Sequence, residues 1–439
     1  MHVLVGRRPE QRLLSALLIL GLMVAARVAL ARTQAFASQP TALAPAPVQL
    51  TTEDTITKLQ DRIRSHPEDS AAYAQLGLAL FQRIRETADA SLYIPAETAL
   101  TEALNRDPQQ LDALIGQGML ALSRHRFAEG LQWGERARAL NPYRAQTYGI
   151  IADAQIELGR YPEAVATLQQ MVNLRPDLSS YSRISYIREL HGDTAGAIAA
   201  MKQAVAAGNP AAEGTLWTQV QLGHLYFNSG DWQRAEASYQ QALQVRPDYV
   251  YALAGIARVR AAQGRYEEAI GAYQKIVTLL PLPAFVIVLG DLYQATGQPA
   301  EARNQYDLVR AIEQLNASAG VDVDLELALF DADHGADPVQ VLKRARAAYS
   351  RRPSIFAADV LAWALYRHGD YPEAWRYSQE ARRLGTRDAT LHYHAGMIAY
   401  ALGDRESAAG HLRQALAINP GFSMRYAPWA RTLLMRLEQ

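Results

Sequence analysis

From position 51 to the end of the chain, apolar and polar residues follow the 3.6-residue period of amphipathic α-helices, and prolines close the helical runs. These prolines stand at Pro67, Pro108, Pro142, Pro176, Pro247, Pro281, Pro353 and Pro420. The intervals between them are 41, 34, 34, 71, 34, 72 and 67 residues. Three equal one 34-residue unit, three lie near two units, and the interval of 41 is one unit plus seven. A fixed period of this size predicts a repeat array rather than a set of separate globular domains. Upstream, residues 13–26 form an apolar run, Arg27 interrupts it, and residues 28–31 resume it.

The unit is clearest over residues 217–247, WTQVQLGHLYFNSGDWQRAEASYQQALQVRP. Leu222-Gly223 is followed by Tyr226, then by Gly230, Ala235, Tyr239, Ala242 and Pro247. This pattern fits two antiparallel amphipathic helices, A and B, joined by a turn. Gly223 and Ala235 are small because the helices approach there, while Tyr226 and Tyr239 fill the space between repeats. Gly230 ends helix A in the left-handed conformation that other residues avoid. Pro247 ends helix B, and Asp248 is placed to cap the next helix A. The turn glycine returns at Gly159, Gly192, Gly264, Gly297, Gly335, Gly369 and Gly403. In six of those turns an alanine follows five residues on, at Ala164, Ala197, Ala269, Ala302, Ala374 and Ala408.

These residues at these offsets resemble the tetratricopeptide repeat family, and the resemblance covers residues 51–439. It implies an all-α, right-handed superhelical solenoid of about ten helix-turn-helix repeats with N- and C-terminal capping helices. Its specificity for fold is high and for function low. The repeats are expected at about 70–108, 111–142, 145–176, 178–210, 216–247, 250–281, 283–315, 321–353, 355–387 and 389–420. A half repeat is expected at 51–65 and a capping helix at 423–437, whose Arg425, Arg431, Arg436 and Glu438 would supply a polar outer face. Some repeats depart from the pattern. Repeat 1 has about seven extra residues around 85–95, repeat 2 has His125 in place of the turn glycine, and repeat 7 lacks its closing proline. Repeat 8 has an acidic helix A (Asp322, Asp324, Glu326, Asp331, Asp333) and a basic helix B (Lys343, Arg344, Arg346, Arg351, Arg352). Pairing between the two helices is the simpler reading of these charges, and a docking face the sharper one.

The N-terminus is an expected address. Arg7, Arg8 and Arg12 precede the apolar run, and small residues follow at Ala29, Ala31, Ala35 and Ala37. A cleaved signal ending near residue 37 and a retained anchor over residues 13–31 both fit, and both put the body outside the cytoplasm. Residues 33–50, rich in Pro and Ala, read as a flexible linker.

The 439 residues carry 44 Lys+Arg and 44 Asp+Glu, and loss of residues 1–37 would leave a net charge of −4. That balance argues against a nucleic-acid partner. With no cysteine, the chain has no disulfide, thiolate metal site or Cys nucleophile.

No glycine-rich phosphate loop, His-Glu-x-x-His or Gly-x-Ser-x-Gly elbow is present, so no enzyme, cofactor or resident metal is expected. Asp331, Asp333 and His334 of repeat 8, with His392 and His394 of repeat 10, are the nearest approach to a metal cluster. However, His334 precedes its turn glycine as His191 and His368 do, which suits a histidine meeting free helix-end carbonyls. His392 and His394 are two apart and point in different directions from a helix.

The resemblance makes the helix A face the binding surface. Its positions outside the packing signature are Arg183, Tyr186, Trp217, His224, Phe227, Tyr251, Arg258 and Asp291, then Trp363, Tyr366, Arg367, Tyr393 and Tyr400. Aromatics and arginines are favoured interface anchors. The leading expectation is a non-enzymatic scaffold of the cell envelope holding a protein or peptide, with membrane contact through the N-terminal run if it is uncleaved. The alternatives are a metal-dependent or metal-handling activity in repeats 8–10, and a carbohydrate-binding module stacking sugars on Trp217, Trp363 and Tyr393.

Overall fold

A computed structural model describes residues 51–439. The expected signal or anchor and the linker lie outside the described residues. The fold is all-α, with twenty-two α-helices and one 3-10 turn, Ala90–Leu92, among the described residues. After the leading helix Thr52–Ser65 the helices pack in consecutive antiparallel pairs, such as Glu213–Asn228 with Trp232–Val245, up to the closing helix Ala427–Leu437.

Local chemistry sets the helix ends. Asp69, Asp177, Asp193, Asp231 and Asp404 each accept a hydrogen bond from a backbone N–H of the first turn they precede. Each such cap contributes about 1 kcal/mol. Asp248 does not act this way: Tyr249 stands at the cap of Val250–Ala262, and Asp248 falls one residue too early. The eight turn glycines all have positive φ, from 71° to 100°, and His125 takes the same conformation at 57° in repeat 2. In repeat 1, Ala88 does so at 56°. Without its proline, helix B of repeat 7 runs for 20 residues, Pro299–Ser318. Helix A of repeat 8 shortens to 10, Asp324–Asp333.

The small residues of the motif have identifiable neighbours. Tyr239, fully buried, is wedged between Gly223 of its own repeat and Gly255 of the next. A Cβ at Gly255 would stand 2.6 Å from the ring. Leu100 sits the same way between Gly77 and Gly116, where an added Cβ would lie 2.5 Å from it on either side. One large residue of helix B thus holds two A helices together, and filling either glycine would cost about 1–3 kcal/mol in overpacking.

The path of the chain brings far-apart repeats into contact. The A–B turns of repeats 2, 3, 4 and 5 press against the segments that close repeats 7, 8, 9 and 10. His125 Nδ1 lies 2.8 Å from the Asp322 carbonyl, and the Asp322 N–H donates to the Arg124 carbonyl at 2.9 Å. The Ile355 N–H donates to the Tyr161 hydroxyl at 2.8 Å. The Thr386 hydroxyl donates to the Leu190 carbonyl. The Asn419 amide donates to the Phe227 carbonyl at 2.9 Å and accepts from the Trp232 indole at 3.2 Å. The paired residues are 187 to 198 positions apart, a little under six 34-residue units. Two successive superhelical turns therefore close on each other along a seam.

The tail differs from expectation. The closing helix begins at Ala427, not at 423, because Pro428 belongs in a first helical turn and cannot sit further inside. Residues 419–426 are irregular. Arg425 faces inward toward Asp291 rather than supplying the outer face.

Candidate interaction surface

The inner ends of the A helices form a charged and aromatic column. Arg183 makes a two-pronged pair with Asp153 at 2.9 and 2.7 Å and also donates to the Ser179 carbonyl at 3.1 Å. Next to it, burial pushes the Glu157 carboxyl up, and Arg352 only partly offsets this. Burial raises Glu189 to about 7; Asp388 of the next superhelical turn adds to the rise, and the Asn228 amide opposes it. The Tyr186 hydroxyl is pushed up by burial and by Glu157 and Glu189. His224, 2.8 Å from the Tyr239 hydroxyl, is pushed down to about 3, first by burial and then by Arg258. The Arg258 guanidinium lies 4.0 Å over the Phe227 ring.

A second cluster gathers repeats 7 to 10. Asp291 accepts from the Tyr306 hydroxyl at 2.8 Å and meets His334 Nε2 at 2.9 Å. Asp333 accepts from the Trp363 indole at 2.8 Å and from the Tyr426 hydroxyl at 2.6 Å. Trp363 stacks on Tyr366 at 4.7 Å and on His394 at 4.1 Å, and Tyr393 stacks on Tyr426 at 4.7 Å. Behind them His394 Nδ1 lies 2.9 Å from Asp359 in a fully buried pair. Burial lowers the His394 value, but the Asp359 charge and hydrogen bond more than reverse this and leave it raised.

Tyr426 and its neighbours are inside because residues 419–426 cross the inner face. Asn419 holds repeat 5, and Gly421 passes under Trp232, where an added Cβ would lie 2.6 Å from the ring. Met424 packs on the core that holds Leu289 and Tyr293. Arg425 faces Asp291 at 3.6 Å, and Tyr426 sits between Asp333, Trp363 and Tyr393. Helix A of repeats 7 to 10 therefore already holds a stretch of polypeptide.

The thirteen expected surface residues separate accordingly. Trp217, Arg367 and Tyr400 are exposed. Arg183, Tyr186, His224, Tyr251, Arg258, Asp291 and Tyr366 are half-buried. Phe227, Trp363 and Tyr393 are buried, at 1–2% exposure: Phe227 lies under Arg258 and within the seam, and the other two lie beneath Tyr426. Trp363 and Tyr393 therefore present no open ring for a sugar. The expected set omits Asp333, Arg425 and Tyr426, which bring its C-terminal members together. Their signal was Pro420-Gly421, a pair that marks a turn, followed by Pro428, which belongs in a first helical turn.

The candidate metal donors have other partners. His191 and His334 meet the carbonyls of Ile187 and Phe330 at 2.8 and 2.7 Å, while His368 faces Asp370 at 2.8 Å. His392 approaches His411 at 3.3 Å, away from His394. Among the described residues no group of three or more His, Asp or Glu is placed to hold a metal ion. The charges of repeat 8 largely pair with each other: Arg351 with Asp322 and Asp324, Arg344 with Asp331, and Arg352 with Glu326. At the start of the seam the extra residues of repeat 1 leave a cleft of about 860 Å³, lined by Ile84, Tyr93, Ile94, Leu282 and Leu315.

Comparisons with known proteins agree with this architecture. Tetratricopeptide repeat family models match residues 96–145, 151–214, 220–282 and 389–422. The chain is similar to cellulose synthase operon protein C of Xanthomonas axonopodis pv. citri, with 28% identity over 281 residues, 64% of this chain and 16% of that protein. It is also similar to the uncharacterized protein ycf37 of Pyropia yezoensis, with 38% identity over 58 residues, 13% of this chain and 33% of that one. The chain thus spans a third or less of the length of these relatives. Among solved structures, the human IFIT1 dimer with PPP-AAAA is similar at a TM-score of 0.47 and 15% identity, covering 75% of this chain and 77% of that one.

Proposed function

We propose, from the premise that this chain is a tetratricopeptide repeat protein, that it is a non-enzymatic scaffold of the cell envelope which holds a stretch of a partner protein on its helix A face. The observation that carries the reading is the grip on residues 419–426. Side chains projecting from A helices, Asp291, Asp333, Trp363 and Tyr393, hold irregular polypeptide by charge, hydrogen bond and ring stacking. A surface built this way takes polypeptide in trans by the same interactions. Next to it the A helices of repeats 4 to 6 offer Arg183, Trp217, Tyr251 and Arg258, which are exposed or half-buried.

The envelope part of the reading is supported by the order of the N-terminal residues, three arginines followed by an apolar run. The similarity to a cellulose synthase operon protein supports a partner from such a system.

The test is capture of a partner from detergent-solubilised membranes by the full chain, beside a Trp217→Ala/Tyr251→Ala variant. A protein retained by the parent and lost by the equally helical variant is the expected result. Equal retention by both moves the partner off this face.

A further inference from the structure

We infer that residues 419–426 are a tethered stand-in for the partner's peptide, and that the groove of repeats 7 to 10 selects a turn-forming segment carrying an arginine followed directly by a tyrosine. The inference rests on the scaffold reading above and adds both the identity of the bound motif and a gate over the groove.

Three observations carry it. The first is the kind of contact made. A segment that served only to lead into the closing helix would need backbone continuity and apolar cover. This one places a cation against Asp291 and a phenol against Asp333. It also lays the phenol ring between Tyr393, stacked at 4.7 Å, and Trp363, edge-on at 5.9 Å. An acceptor at the end of an aromatic slot reads tyrosine over phenylalanine, because a ring without the hydroxyl leaves a half-buried carboxylate with one donor fewer.

The second is the set of receiving groups. They come from separate repeats and are held by neighbours outside the segment. Asp291 is fixed by Tyr306 and His334, Asp333 by the Trp363 indole, and Trp363 by its stacking on His394. Such preorganisation is what a binding site needs and what a mere path for the chain does not.

The third is that the occupant fits imperfectly. Arg425 Nη1 is buried without a hydrogen bond, 3.6 Å from the Asp291 oxygen. The chain is anchored on either side of the segment, by Asn419 at the seam and by the helix from Ala427. Arg425 therefore meets Asp291 without a hydrogen bond from its Nη1. An untethered peptide is free to make the shorter, charge-assisted contact. It would displace the side chains of residues 422–426 without unfolding the superhelix.

The test uses the full chain and a fluorescein-labelled peptide with the sequence of residues 419–428, NPGFSMRYAP. Anisotropy titration compares the parent with Arg425→Ala/Tyr426→Ala, which empties the slot. We expect the emptied variant to bind the peptide at least tenfold more tightly than the parent. Adding Asp333→Ala to the emptied variant should abolish binding, as should replacing Arg or Tyr of the peptide by Ala. Tyr426→Phe, which keeps the ring and loses only the hydroxyl, supplies a milder opening and should show a smaller gain in the same direction. If either variant keeps its helical circular dichroism and binds no better than the parent, or if binding survives Asp333→Ala, the inference is overturned. The membrane capture experiment separates this from failure of the scaffold reading. A partner held equally by the parent and the emptied variant removes the gate and leaves the scaffold, whereas no partner held by either removes the scaffold itself.

Discussion

The A–B turns of repeats 3 to 5 and those of repeats 6 to 10 share one backbone conformation and nearly the same residues, yet they do different work. Gly159, Gly192 and Gly230 have φ of 71°, 76° and 80°; Gly264, Gly297 and Gly403 have 77°, 76° and 81°. In the first set a Cβ would run into a carbonyl oxygen of the next superhelical turn, that of Pro353, Gly385 or Ile418, the last at 2.9 Å. In the second set nothing among the described residues lies within 4 Å of such an atom. Local geometry is the same on both sides, so the difference is purely tertiary. An ordinary solenoid couples only neighbouring repeats. Here the seam adds contacts between repeats nearly six units apart, and it lies only on the turns that a later repeat reaches.

The largest expected effect breaks this comparison directly. Gly159→Ala meets both the left-handed strain and the Pro353 carbonyl and should cost about 3 kcal/mol, whereas Gly264→Ala meets the strain alone and should cost about 1 kcal/mol. Urea midpoints of the two variants would check this, and equal losses would remove the seam from the explanation.

A second effect concerns the like charges that face each other across the seam. Glu189 has a folded value of about 7, above the usual carboxyl range, from burial and from Asp388. The folded state thus keeps a proton that the unfolded state releases. Stability is full below the unfolded value and is lost as pH rises from there to about 7. Glu189→Gln should be close to neutral at low pH, below the carboxyl range, and should stabilise by about 2 kcal/mol once Glu189 is ionised, a figure already reduced for partial exposure. Denaturation in two buffers on either side of that range, showing no pH-dependent difference, would be against it.

The smallest effect compares the same hydroxyl in two places. Tyr161→Phe removes the acceptor for the Ile355 amide and should cost about 1–2 kcal/mol. Tyr266→Phe, at the same motif position in repeat 6, should change stability by less than about 0.5 kcal/mol. Melting curves of the pair, parent beside variant, would show it.

The sequence was informative where its signal repeats. The 34-residue period, the turn glycines and the large residue seated between two small ones could all be read from spacing, because each reports contacts within one unit or between neighbours. The seam could not be read this way. It joins Tyr161 to Ile355 and Asn419 to Phe227, and no local pattern records a partner about 190 residues away. The helix A face was legible as a set of positions. Its division into open and covered members was not, because Trp363 and Tyr393 are closed by residues 419–426, of which the pattern assigns 423–426 to the closing helix. Pro420-Gly421 and Pro428 are the available clue, since the first marks a turn and the second a helix start.

The central claim is that two superhelical turns of one chain lie edge to edge, and the lack of native cysteine allows a direct test. Arg383 donates to the Gly159 carbonyl at 3.3 Å, and its guanidinium lies 5.2 Å from the Tyr161 ring. Cysteines placed by Arg160→Cys and Arg383→Cys should be joined rapidly by a short bis-maleimide within a single chain, while the Arg265→Cys/Arg383→Cys pair should not be. A chain that forms no internal cross-link at the first pair, or forms one only between molecules, would contradict the seam.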